Sequence, residues 1–104
     1  MAQYNAKITD EASDDMEDIF KHIAFKLLAP ENAANQYDRI ADAILSLEKF
    51  PERYRIMDEE PMHSRKIRCM PIDNYVVLFY IKNSDVIITD VLYGASDIAK
   101  RFNS

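Results

Sequence analysis

Glycine is almost missing from this chain of 104 residues: Gly94 is the only one. A lone glycine marks a backbone position worth watching, because only glycine takes up left-handed geometry without steric cost. Cysteine is equally scarce. Cys69 stands alone, so no internal disulfide can form. It cannot build a zinc site by itself, and the two histidines, His22 and His63, lie far from it in sequence. Long apolar runs are absent too, and no stretch approaches membrane-spanning length. Residues 1–7 lack the extended apolar core of a signal peptide. A soluble cytoplasmic protein, with no metal and no membrane role, is the expectation.

What the chain does contain is enough for one hydrophobic core. Hydrophobic residues make up 48% of it, which argues against disorder. The length suits one domain over residues 1–104. Net charge is −5, unevenly spread. Residues 1–60 hold 14 acids and 7 bases, whereas residues 61–104 hold 4 acids and 6 bases. The second part can therefore present a small basic patch. The overall acidity disfavours direct binding of nucleic acid, whose phosphates reward cations.

Periodicity predicts the elements. Tyr4, Ala6 and Ile8 alternate with polar neighbours, as in a short half-buried strand. Thr9-Asp10-Glu11 offers a helix cap with acids in the first turn. Ala12, Met16, Ile19, Phe20, Ile23 and Leu27 then form one apolar stripe. Beyond Pro30 a second stripe runs through Ala33, Tyr37, Ile40, Ala41, Ile44 and Leu47, and ends at Pro51. The short link between the stripes predicts an antiparallel helical hairpin. Residues 51–63 read as a surface loop. From residue 64 the alternation is that of a strand, with a turn at 71–74. The apolar run Tyr75–Ile81 and the segment Val86–Tyr93 follow as strands, and residues 97–102 as a short terminal helix. The order β-α-α-β-β-β predicts an α+β fold, with the hairpin on one face of a small antiparallel sheet.

Four segments in this order resemble the RelE/ParE superfamily, the small toxins of bacterial type II toxin–antitoxin pairs. They are Ile8–Ala12 with Asp15–Ile19, Ile44–Pro51, Arg65–Cys69 leading into Asn74–Tyr80, and Val91–Gly94 with Asp97. The resemblance implies a labile antitoxin that masks the working surface, and contact with DNA only through that antitoxin. It implies no cofactor. RelE-like members cleave messenger RNA on the ribosome without a metal. ParE-like members inhibit DNA gyrase, and the family's link to plasmid stabilisation comes with them.

Metal-free RNA cleavage needs a base, cations for the developing phosphorane charge and an acid for the leaving oxygen. The resemblance places the basic strand pair of RelE-like enzymes at Lys66 and Arg68. One expected arginine falls at Val76, and the next at Ala95 or Ser96. The terminal tyrosine falls at Phe102, a ring without a hydroxyl. These departures favour the ParE-like branch, which acts by binding. Many relatives also carry two arginines where Ala95 and Ser96 stand, so the alternatives to the ParE-like reading are RelE-type cleavage and a degenerate toxin that only binds its antitoxin. Arg65, Lys66, Arg68, Tyr93, Lys100 and Arg101 are the candidate contacts to a target or an antitoxin. The basic residues equally suit solvated strand charges, and Tyr75, Tyr80 and Tyr93 equally suit core aromatics. Asp14 and Asp15, adjacent on a helix, point apart and form no dyad.

Overall fold

The structure, a computed structural model, describes residues 3–102; Met1, Ala2, Asn103 and Ser104 of the expected 1–104 domain lie outside the described residues. Strand β1 (Asn5–Ile8) leads into helix α1 (Asp10–Lys21), a single π-helical turn (His22–Lys26) and helix α2 (Pro30–Ser46). Strands β2 (Arg68–Ile72), β3 (Tyr75–Lys82) and β4 (Asp85–Leu92) follow, and helix α3 (Gly94–Phe102) closes the chain. The α+β architecture with a terminal helix is the one the sequence predicts.

The sheet order is β1-β4-β3-β2. The three-strand meander is antiparallel, as expected. The expectation of a wholly antiparallel sheet is corrected at one edge, because β1 pairs parallel to β4, from Asn5 opposite Asp85 to Ile8 opposite Ile88. Strand direction flips at each hairpin of the meander, so β4 runs the same way as β2. The long connection through the helices and residues 47–67 returns the chain to run in the direction of β1. A tight turn could not join parallel strands, whereas a crossover of this length can.

Two apolar layers cover the sheet. Ala12, Met16, Ile40, Ile44 and Leu47 of the hairpin side pack on Met70, Val77, Phe79, Val86, Ile88 and Val91. On the opposite face Leu78 and Leu92 meet Met62 and Ile67, with Ile98 and Phe102 of α3 against them. Alternation along β3 sends neighbouring residues to opposite layers. In β4 a bulge resets that alternation: Leu78 faces Asp90 but Phe79 faces Ile88, leaving Thr89 as the extra residue.

Several expectations about boundaries and burial change. Arg65 and Lys66 precede β2 instead of lying in it; Lys66 adopts a left-handed φ of 58° inside a turn. The turn expected over 71–74 shrinks to Asp73 and Asn74, and Pro71 sits in β2. An edge strand tolerates a residue without an N–H. The loop over 51–63 is more than surface, because Met62 is buried in the second layer; aperiodic sequence gives no sign of that. Finally, Leu27 is 61% exposed although it continues the first stripe. The π turn, closed by the Leu27 N–H on the His22 carbonyl at 3.2 Å, adds a residue and shifts the helical phase.

Candidate interaction surfaces

Thr9 joins the first strand to the first helix and both to the bulge. Its hydroxyl accepts from the Ala12 N–H at 3.2 Å, as a helix cap does, and donates to the Ile88 carbonyl at 2.8 Å. Six residues on, Asp15 is buried beside Ala12 and Met16. It accepts from the Val91 N–H at 3.0 Å. Arg101 of α3 donates to both Asp15 oxygens, at 2.8 and 3.0 Å, and to Asp90 at 2.9 Å. These hydrogen bonds hold the Arg101 guanidinium above its already high ordinary range, Asp15 contributing most. A buried carboxylate needs such partners, since its charge is costly in a low-dielectric interior. The network ties α1, the bulge of β4 and α3 together.

A cleft of about 820 Å³ opens between the helical hairpin and the β2–β3 turn. Ile19, Ile23, Leu27 and Tyr75 are among the residues lining it. Tyr75 and Tyr93 meet edge to face at 5.4 Å, and Tyr93 is 55% exposed. Burial, with Tyr93 second, raises the Tyr75 phenol above its ordinary value. Across the cleft Arg39 of α2 binds Asp73 through two nitrogens at 2.8 and 2.9 Å, and Gln36 adds a third bond at 3.0 Å. Arg39 foremost, then Gln36, pulls the Asp73 carboxyl down to about 2. This clamp fixes the β2–β3 turn to the hairpin.

The candidate residues of the sequence divide between surfaces. Tyr93 borders the large cleft, beside Asp97, whose carboxylate accepts from the Tyr93 N–H at 3.3 Å. Arg65 lines a smaller hollow with Tyr80, Asp90 and Phe102. Arg68 turns elsewhere, donating to the Tyr54 carbonyl at 2.7 Å and the Glu52 carbonyl at 3.4 Å. Lys66 and Lys100 are exposed. Among the described residues, the charge of Arg101 is matched within the fold by Asp15 and Asp90. The three basic residues 65, 66 and 68 thus do not present one strand face. Val76 and Phe102, where RelE-like enzymes would place an arginine and a tyrosine, pack as apolar groups in the second layer.

Sequence reasoning missed Asp15, Asp90, Arg39 and Asp73. Two of them had a signal. Asp15, expected on the polar face of the first helix, is instead buried, and it lies three residues from Ala12 and four from Ile19; Asp90 interrupts a strand otherwise rich in apolar residues. A carboxylate in such a place calls for a partner. Nothing local pointed to Arg39 and Asp73, which are 34 residues apart.

Over residues 6–98 the sequence matches the family described as the ParE toxin of the type II toxin–antitoxin system, parDE. The chain belongs to the ParE toxin family. A solved structure described as the chromosomal ParDE TA system from P. aeruginosa shares the fold, with a TM-score of 0.74 at 18% identity. The match covers 88% of this chain and 96% of that one. No curated protein sequence matches the chain. The family is the branch that the departures at Val76, at Ala95 or Ser96, and at Phe102 favour. Among the described residues no helix of this ParE-family chain is long and apolar enough to cross a membrane.

Proposed function

We propose that this ParE-family chain is the cytoplasmic toxin of a type II pair of the plasmid-stabilisation kind, neutralised by a cognate antitoxin, and that it acts by binding and inhibiting DNA gyrase. The observation that carries the reading is the fate of the terminal arginine. Arg101, the cation nearest the missing tyrosine position, is engaged by Asp15 and Asp90, and Phe102 beside it is packed against the sheet. Arg68 is turned toward backbone carbonyls. The hollow beside Phe102 holds Arg65 and Tyr80, but its carboxylate, Asp90, already accepts from Arg101, which supports binding rather than phosphodiester cleavage. Tyr93, Lys66, Lys100 and Arg65 stay available as contact residues, and an acidic antitoxin segment would be steered to the cations.

A supercoiling assay with purified gyrase tests this function. Inhibition at micromolar toxin, relieved by the antitoxin encoded beside it, is the expected result. Ribosome-dependent cuts in message, with no effect on supercoiling, would replace the reading with RelE-type cleavage.

A further inference from the structure

The clamp between Arg39 and Asp73 is more elaborate than its setting calls for. It sits at the surface, with the Arg39 side chain 62% exposed. An exposed ion pair adds little to stability. Among the described residues the other surface pairs, Lys7 with Asp85, Lys21 with Glu17 and Arg55 with Asp58, rest on one contact each. Here Arg39 donates twice and Gln36 adds a third bond to the same carboxylate. Stability is therefore a poor account of the clamp.

What the clamp does is fix a place. Asp73 opens the two-residue turn between β2 and β3 and holds a left-handed φ of 55°. Beyond the turn Tyr75 begins β3, paired with Ile72. On the other side of β3 the ladder to β4 stops at Val76 opposite Leu92. Tyr93 is thus the first residue past the ladder, and its support is local. The Tyr75 ring meets it edge to face at 5.4 Å, and the Asp97 carboxylate accepts from its N–H at 3.3 Å. The turn also abuts the corner after Tyr93, since the Asn74 carbonyl stands 4.0 Å from where a Gly94 Cβ would lie. A chain of contacts therefore runs from α2 through Arg39, Asp73 and Tyr75 to the exposed Tyr93.

We propose that Arg39 and Asp73 are positioning residues: by pinning the β2–β3 turn to α2 they hold Tyr75, and through it Tyr93, in the pose that the toxin's protein target receives. This role rests on the reading that the chain acts by binding gyrase with Tyr93 among its contacts. A ring already held in its bound pose spares the entropic cost of ordering it on contact. A Tyr93 left to turn freely would lose that advantage. Neither Arg39 nor Asp73 needs to touch the target for this.

The test compares the wild type with Arg39→Ala, Arg39→Lys, Asp73→Asn, Tyr93→Ala and the double variant Arg39→Ala/Tyr93→Ala. Asparagine tolerates the left-handed turn but gives up the charge. Arg39→Ala and Asp73→Asn should melt close to the wild type at neutral pH. In both, NMR contacts between the Tyr75 and Tyr93 rings of the free protein should weaken. The Tyr75 phenol, raised chiefly by burial, should fall back toward its ordinary value. Inhibition of gyrase supercoiling should weaken by about fivefold or more in both and in Tyr93→Ala, with no further loss in the double variant. Arg39→Lys keeps the charge without the fork and should fall between. Unchanged ring contacts in Arg39→Ala, or losses that multiply in the double variant, would overturn the role and leave gyrase as the target. Loss in Arg39→Ala with Asp73→Asn unaffected would make Arg39 a direct contact and overturn it too. If the wild type leaves supercoiling untouched, gyrase falls as the target and growth arrest on expression decides. Arrest lost in Arg39→Ala, Asp73→Asn and Tyr93→Ala would then support the role; arrest in any of them equal to the wild type, or none by the wild type, would overturn it.

Discussion

Arg101 grips Asp15 across 86 residues of sequence, one guanidinium on two carboxylate oxygens at 2.8 and 3.0 Å. The pair fixes the last helix to the first, and Asp15 passes the connection on to the Val91 N–H beside the bulge. A residue that sequence reasoning assigns to contact with a partner thus also organises the fold.

Replacing Arg101 with alanine should destabilise the protein by about 1–3 kcal/mol, because Asp15 would keep a buried charge with one fewer neutralising partner. Arg101 is 40% exposed on its side chain, which keeps the cost below that of a fully buried pair. Melting temperature should fall by roughly 4–8 °C per kcal/mol for a domain of this size. Arg101→Lys should recover part of the loss. An unchanged melting temperature in Arg101→Ala would deny the network any structural role.

Asp73 should titrate near pH 2 in a carboxyl-resolved NMR experiment. That lies below the unfolded value of about 3.9. The stabilisation it lends is complete above the unfolded value and is lost as pH falls through about 2. Arg39→Ala should return the midpoint toward the ordinary carboxylate range. A midpoint that stays put would mean the clamp is not the cause.

Gly94→Ala should cost about 1 kcal/mol for backbone reasons alone. The glycine has φ +68°, yet an added Cβ would meet nothing nearer than the Asn74 carbonyl at 4.0 Å. Asparagine, which tolerates left-handed geometry, should cost less than alanine in the same melting assay. Equal losses for both would point to packing instead.

Phe102→Tyr should not confer cleavage of message in a ribosome toeprint, since Val76 and Ala95 or Ser96 still stand where RelE-like enzymes carry arginines. New cuts from this single change would show that the remaining groups suffice.

Cys69 should react slowly with iodoacetamide at neutral pH and quickly in denaturant. Burial, with Glu59 second, raises its thiol above the ordinary value and depletes the reactive thiolate. Equal rates in both states would contradict its placement in the second layer.

Much of the fold was legible because amphipathic periodicity is local. Ala12, Met16, Ile40, Ile44 and Leu47 are buried as their spacing predicts. The run from Tyr75 to Ile81 is a central strand between two covered faces, as its continuous apolarity predicts. Leu27 escaped because a hydrogen bond one residue longer than the helical norm changed the phase, and residue identity alone does not encode that register. Arg65 and Lys66 escaped because alternation continues through a turn as readily as through a strand.

By itself the sequence determined the order of elements and the apolar faces. Those are properties of residue type and spacing. Only the tertiary structure decided that β1 lies parallel to β4, that Asp15 and Asp90 share Arg101, and that Arg39 closes on Asp73. Strand direction and charge pairing depend on which distant segments meet, and chain packing sets that rather than any local pattern.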